Sequence, residues 1–260
     1  MDLALVGKTI VVTGGAKGIG EAIVRTLAAE GATPVIVDRD ADSGQRLCDE
    51  IQADGSRCGF VECDLAEPSA CRAAAEEAAR VAGRIDALVN NAGANDGVGL
   101  ENGNPEEFLL SLRRNLLHYY DMTQQLLSDL KDAQGAIVNI GSKVALTGQG
   151  GTSGYAAAKG AILALTREWA VDLLPYGVRV NAVVPAEVMT PLYQQWLDTF
   201  PDPEQKLATI VGKIPLGKRT TKAEEIAAMV VFLLSPQAGH ITGQHLIVDG
   251  GYVHLDRSLS

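Results

Sequence analysis

The chain has 260 residues, 47% of them hydrophobic and 21% charged, with a net charge of -10 and a pI of about 4.9. This composition suits a single well-buried domain over residues 1–260. Its acidity opposes binding to phosphate backbones, so no nucleic-acid partner is expected.

No apolar run approaches the roughly 20 residues of a membrane span, so no membrane partner is expected. The opening Met1-Asp2-Leu3-Ala4-Leu5-Val6 lacks the basic start and cleavage pattern of a signal peptide. Cys48, Cys58, Cys63 and Cys71 form no Cys-x-x-Cys pair. A cytoplasmic protein with reduced thiols and no metal is expected.

Strand-like runs follow at 9–13, 34–38, 59–63, 87–90, 136–140, 178–184 and 246–248. Most are continuously apolar rather than alternating, as in strands of a parallel sheet covered on both faces. Helical patterns fill the intervals at 19–30, 43–53, 68–82, 106–130, 155–174 and 223–234. Gly31, Gly55 and Gly83 stand just past the first three, where a left-handed residue commonly ends a helix. Thr221-Lys222-Ala223-Glu224 has the form of a capping box opening the last. Strand and helix alternate, which predicts right-handed βαβ units in one α/β doubly wound sheet of about seven parallel strands. Residues 186–216 fit this pattern poorly and carry Trp196, Phe200, Pro201 and Pro203; a small helical substrate lid is expected near 190–215.

The first strand runs into Thr13-Gly14-Gly15-Ala16-Lys17-Gly18-Ile19-Gly20. Glycines at such a junction allow a tight turn and close approach of a pyrophosphate, which the helix N-terminus attracts. Asp38 ends the second strand, where a carboxylate holds ribose hydroxyls and repels a 2′-phosphate. That favours NAD. Lys17 and Arg39, either able to pair with a phosphate, keep NADP open. Asp64-Leu65 ends the third strand, where an adenine edge is expected to pass; an Asp there also suits a helix N-cap. Asn90-Asn91-Ala92-Gly93 follows the fourth strand, combining amides that bridge neighbouring strands with small residues that let a ligand approach.

Tyr155 and Lys159 stand four residues apart in Tyr155-Ala156-Ala157-Ala158-Lys159, a run that favours helix and puts both on one face. Bringing a phenol from its usual pKa to near neutrality takes about 4 kcal/mol in favour of the phenolate. One cation at about 4 Å supplies that order of energy at an effective dielectric near 20. The spacing therefore predicts an ammonium beside the phenol, and a tyrosine that exchanges protons near neutral pH.

These segments, together with Asn115, Ser142, Pro185 and Thr190, resemble the short-chain dehydrogenase/reductase family over essentially the whole chain. The resemblance implies a single Rossmann-type domain, a homotetramer, and reversible alcohol/carbonyl chemistry with a nicotinamide dinucleotide. It implies Tyr155 as the acid/base and Ser142 as the group holding the reacting oxygen. It further implies Lys159 on the nicotinamide ribose, lowering the Tyr155 pKa, and Asn115 anchoring a water between Lys159 and solvent. The cofactor would lie along Gly14, Lys17, Gly18, Ile19, Gly20, Asp38, Asp64, Leu65, Asn91, Ala92, Gly93, Tyr155, Lys159, Pro185, Val188 and Thr190. One departure stands out: the family usually has Pro-Gly after the sixth strand, and here Pro185-Ala186-Glu187 restricts the backbone and adds a carboxylate near the cleft.

Loops around the expected cleft carry Asn95, Asp96, Lys143, Gln149, Glu187, Tyr193 and Trp196. Hydrogen-bonding groups with aromatic faces among them suit a polyhydroxylated ligand, whereas a steroid or acyl pocket is more apolar. Segments 95–100, 114–120, 147–150, 185–193 and 252–257 are similar to the L-fucose dehydrogenase branch of the family. That implies NAD-dependent oxidation of the anomeric C1 hydroxyl of L-fucose or a related aldopyranose to the lactone. Asn95, Ser142, Gln149, Tyr155, Glu187 and Trp196 are then the expected substrate contacts. A hydroxysteroid or 3-oxoacyl reductase of the same family is the alternative, and a catalytically idle NAD-binding sensor a remote one. His118, Tyr119 and Tyr120, on the long helical run, are candidates either for a subunit interface or for the site.

Overall fold

Seven strands form one sheet in the computed structural model, which describes residues 1–67 and 70–255. They are β1 (Thr9–Thr13), β2 (Thr33–Asp38), β3 (Gly59–Glu62), β4 (Ala87–Asn90), β5 (Ala136–Ile140), β6 (Arg179–Pro185) and β7 (His245–Val248). Their spatial order is β3-β2-β1-β4-β5-β6-β7, and every pairing is parallel. The chain works outward from β1 to β3, then returns to the other side of β1 with β4. The loops leaving β1 and β4 therefore diverge, and α/β sheets bind ligands in the crevice at such a switch.

Between the strands run α1 (Gly18–Ala29), α2 (Ala41–Ala53), α3 (Ala70–Ala82), α4 (Pro105–Leu112), α5 (His118–Gln125), α6 (Leu127–Ala133) and α7 (Ser153–Leu173). After β6 come α8 (Pro191–Leu197), α9 (Pro203–Val211) and α10 (Ala223–Leu234). Ile10, Val12, Ile36, Val89 and Val138 pack under α1, α2 and α10. Val11, Val35, Leu88 and Ile137 pack under α3, α5 and α7. Successive strand residues thus enter two covered cores, which is why the strands read as unbroken apolar runs.

The helical run expected over 106–130 is not one helix. A wide π turn, Arg113–Leu117, joins α4 to α5, and the chain turns again at Leu126. At 3.6 residues per turn, steps of four drift around a helix. The wide turn cancels that drift, so Ser111, Asn115 and Tyr119 remain on one buried line, each 0% exposed. His118 and Tyr119 consequently lie inside the chain's own fold, and of the three only Tyr120 faces outward.

The capping box at the start of α10 is shifted by one residue. Lys222 is the N-cap, and its backbone N–H donates to the Glu225 carboxylate at 2.8 Å. Thr221 is unavailable because its backbone is bridged to the loop after β6, donating to the Glu187 carbonyl at 2.8 Å. The lid segment is α8 and α9, each opened by a proline after a capping side chain, Thr190 and Asp202. Residues 68–69 of the third helical pattern and 256–257 of the tail lie outside the described residues. Among the described residues, no helix is long and apolar enough to cross a membrane.

Candidate active site

Three glycines shape the turn between β1 and α1, and each excludes a side chain for a separate reason. Gly14 has φ +63°, and a Cβ there would lie 2.8 Å from the Ala92 Cα. A Cβ on Gly20 would lie 2.0 Å from the Gly14 carbonyl oxygen. Gly18, at φ +57°, abuts the Thr190 side chain, so the turn touches the segment leading into the lid. Asn91 locks the turn to β4: its Nδ2 donates to the Thr13 and Gly14 carbonyls at 3.0 and 2.9 Å. Ile19 packs against the core from the first turn of α1. These residues leave bare backbone and a helix N-terminus facing the switch crevice, a cradle that fits a dinucleotide pyrophosphate.

At the end of β2, Asp38 accepts from the Ala16 and Asp40 backbone N–H groups, both at 3.0 Å. Lys17, expected to approach a phosphate, is ion-paired with Asp40, whose carboxyl it holds down at about 2. Arg39 points to Asp64 at 3.8 Å. Both cations therefore have carboxylate partners. Asp64 is not a helix N-cap; its side chain accepts from the Ala66 N–H at 3.0 Å in a local turn, with Leu65 buried beside it. Pro185 ends β6, and Val188 is buried in the core just after it.

Ser142 follows β5 in extended conformation and caps the short turn Lys143–Ala145. Its hydroxyl bonds the Tyr155 phenol, favouring the phenolate, but burial dominates and pushes Tyr155 up to about 12, with the Asp96 charge adding to the rise. Asp96 itself accepts from the Ser111 hydroxyl at 2.9 Å. Burial alone brings Lys159 down to about 7. Lys159 Nζ lies over the Tyr155 ring, 5.6 Å from its centroid, so the two share one face of α7, but its hydrogen bonds do not go to the phenol. It donates instead to the Tyr119 hydroxyl at 3.0 Å and the Ile140 carbonyl at 2.8 Å. A desolvated ammonium takes the fixed oxygens nearest to it, and here the end of β5 and α5 supply them. Helical spacing placed the pair on one face, but it carried no information about these acceptors.

Asn115 holds the loop after β4, accepting from the Ala94 N–H at 2.8 Å and donating to the Ser111 carbonyl at 3.1 Å. Gly93, at φ +149°, lets that loop pass over Asn115, where a Cβ would lie 2.9 Å from Asn115 Oδ1 and 3.7 Å from Lys159 Nζ. Beneath this, Asn90 donates to Thr123 and Asn139, and Asn139 donates to Thr166. The network pins α5 and α7 to the sheet just below the reactive side chains.

On the substrate side, Glu187 does not present a free carboxylate. Lys143 is ion-paired to Oε1, and the Tyr193 hydroxyl donates to Oε2 at 2.8 Å. Lys143 Nζ also lies 4.4 Å from the Tyr252 ring centroid, tying the tail to the cleft. Tyr193 meets Trp196 at a tilt of 57°, and Trp196 meets Phe200 edge-on, so the aromatic part of the lid is one cluster. Gln149 and Asn95 are exposed, and Asn95 caps its own loop through the Gly97 N–H at 3.2 Å. Sequence reasoning left Tyr119 between interface and site; its place beside Lys159 depends on the π turn, which has no signature in a single sequence.

The profile of the family described as enoyl-(acyl carrier protein) reductase matches residues 14–253. The L-fucose dehydrogenase of Bos taurus is 36% identical over 252 residues, covering 96% of this chain and 91% of that protein. Among solved structures, the Cj0485 dehydrogenase is similar with a TM-score of 0.94 and 47% identity, over 100% of this chain and 99% of its own. The aldohexose dehydrogenase (AldT) of Thermoplasma acidophilum follows with a TM-score of 0.88 and 30% identity over 98% of each chain. Sequence and backbone agree along the full length, and the chain belongs to the short-chain dehydrogenase/reductase family.

Proposed function

We propose that this enzyme oxidises the anomeric C1 hydroxyl of L-fucose or a related aldopyranose to the lactone, with NAD as cofactor. The observation that carries the reading is the part-buried Lys143–Glu187–Tyr193 group next to Ser142. An acyl chain or steroid laid against it would strip water from two charges and return no hydrogen bonds. A sugar returns them: a carboxylate has about four acceptor sites and an ammonium three donors, so both partners keep capacity for ring hydroxyls. Similarity to an L-fucose dehydrogenase and to an aldohexose dehydrogenase supports the same reading.

In the proposed reaction Ser142 bonds the C1 oxygen and Tyr155 takes its proton. Lys159 and the glycine cradle hold the cofactor, with Asp38 at its adenosine ribose. When bound, the nicotinamide supplies the acceptor for the hydrogen leaving C1. Asn95, Gln149 and Trp196 border the sugar as the lid closes.

The test is NADH formation with a panel of aldoses, hydroxysteroids and 3-hydroxyacyl substrates. Turnover of a hydroxysteroid or acyl substrate with none of any aldose overturns the reading. Replacing Glu187 by Gln is expected to lower the specificity constant for the sugar by about tenfold or more, since it leaves Lys143 buried without its counter-charge. A value within about twofold of the parent removes Glu187 from the sugar site.

A homotetramer and a cytoplasmic location go with this reading. Leu109, Leu110, Leu117, Tyr120, Val171 and Leu174 are exposed on or beside α4, α5 and α7, a set of apolar surfaces that a second copy would cover. All four thiols are free. Sedimentation equilibrium is expected to return four times the chain mass of 27.3 kDa; a monomer would remove the assembly from the proposal.

A further inference from the structure

Tyr119 is the largest side chain with no exposure among the described residues. A buried phenol needs a hydrogen-bond partner, and this one has two. Its hydroxyl donates to the Ile140 carbonyl at 3.1 Å and accepts from Lys159 Nζ at 3.0 Å, while Nζ also donates to Ile140 at 2.8 Å. Ammonium, phenol and carbonyl close a triangle behind the reactive face. We propose that Tyr119 is a positioning residue: its hydroxyl is the neutral acceptor that keeps Lys159 charged inside the protein and aims its remaining proton toward Tyr155 and the cofactor ribose.

The chemistry of the triangle supports this role over the two others open to a buried tyrosine. It is not a second base, because burial holds its phenol well above the ordinary value and it stays neutral. Nor is it a proton conduit, because its own hydrogen ends on a main-chain carbonyl that has no proton to pass on. What remains is acceptance. An ammonium has three hydrogens; Tyr119 and Ile140 engage two, and the third points out of the triangle. Without Tyr119 the ammonium would keep one fixed acceptor in a site where burial already disfavours its charge.

The titratable groups around Nζ are few. Tyr155 stands on α7, Tyr119 and His118 on α5, and Asp96 acts on Tyr155 from the loop after β4. His118 is held at about 4 by burial, so it is uncharged at neutral pH and does not substitute for Tyr119. The inference rests on the reading of Tyr155 and Lys159 as the reactive pair, and its test separates the two.

Full-length protein labelled with carbon-13 at lysine Cε, without cofactor, reports the Lys159 charge directly, the signal being assigned with a Lys159→Met variant. In Tyr119→Phe the Lys159 midpoint is expected to fall by about one pH unit, the shift that losing one hydrogen bond to a charged group produces. In turnover, kcat is expected to drop about tenfold with the sugar KM within about twofold, and the high-pH limb of kcat is expected to move down by the same unit. A fluorinated tyrosine at 119 keeps the volume while weakening the oxygen as an acceptor, so a smaller downward shift is expected where the Phe variant folds poorly. A Lys159 midpoint unchanged in both proteins overturns the proposal. If the parent oxidises no aldose, the sugar reading fails, and the titration still decides the role of Tyr119.

Discussion

Tyr155→Phe is expected to lower kcat for aldose oxidation by about a thousandfold or more, the upper range for a positioned acid/base, while NAD binding stays within about twofold. The substitution removes one oxygen and keeps the ring, so the packing of α7 is retained. Ser142 loses a hydrogen-bond partner but keeps the Val144 N–H that it caps. The sign of the pH dependence follows from the environment. Oxidation needs the phenolate as base. Burial raises Tyr155 to about 12, which makes the phenolate scarce at neutral pH, so the parental kcat/KM rises with pH through that range. Burial also lowers Lys159 to about 7, so in the free enzyme its charge, and its favour toward the phenolate, fades as pH climbs past that value. The rising and falling limbs belong to the coupled pair rather than to either residue. In Tyr155→Phe the rising limb is expected to vanish. A variant that keeps more than about a tenth of parental kcat with its pH profile intact removes Tyr155 from the chemistry.

Much of this site was readable because its constraints are local. The glycines at 14, 18 and 20 are required by backbone clashes within a few residues or across one strand pair, and the turn shows as a pattern at a strand–helix junction. The strands showed as apolar runs because both faces of the sheet are covered, a demand that every residue of β1 or β5 meets by itself. What escaped reading depends on distant partners. Four-residue spacing put Tyr155 and Lys159 on one face, but where the ammonium's hydrogen bonds go depends on Tyr119 and Ile140, which a π turn and a neighbouring strand bring in. Periodicity counted from residue 106 fails at that turn, so it could not tell which of His118, Tyr119 and Tyr120 faces inward. Lys17 and Glu187 were singled out as free charges facing ligands; Asp40 and Lys143, from other loops, neutralise them. The Pro185-Ala186-Glu187 departure was visible, whereas the partners that make it a rigid polar wall were not.

Replacing Asp38 by Ala is expected to erase the choice between NAD and NADP. The parent is expected to prefer NAD by about a hundredfold or more in kcat/KM, since setting a 2′-phosphate against a carboxylate costs several kcal/mol and each 1.4 kcal/mol is about tenfold. The two nearby cations already have carboxylate partners, Lys17 in Asp40 and Arg39 in Asp64 at 3.8 Å. In Asp38→Ala the ratio is expected to fall within about fivefold, mainly through a lower KM for NADP. Asp38 has a second duty that complicates this variant: it receives the Ala16 and Asp40 N–H groups and so braces the glycine turn. Asp38→Asn separates the two effects, keeping one acceptor oxygen while discarding the charge. If charge is the discriminator, Asn erases the NAD preference as Ala does, but loses less of the NAD activity because the turn stays partly braced. If NADP remains excluded in both variants, discrimination lies in the shape of the turn between β1 and α1, and the Lys17–Asp40 pair that closes it becomes the place to cut next.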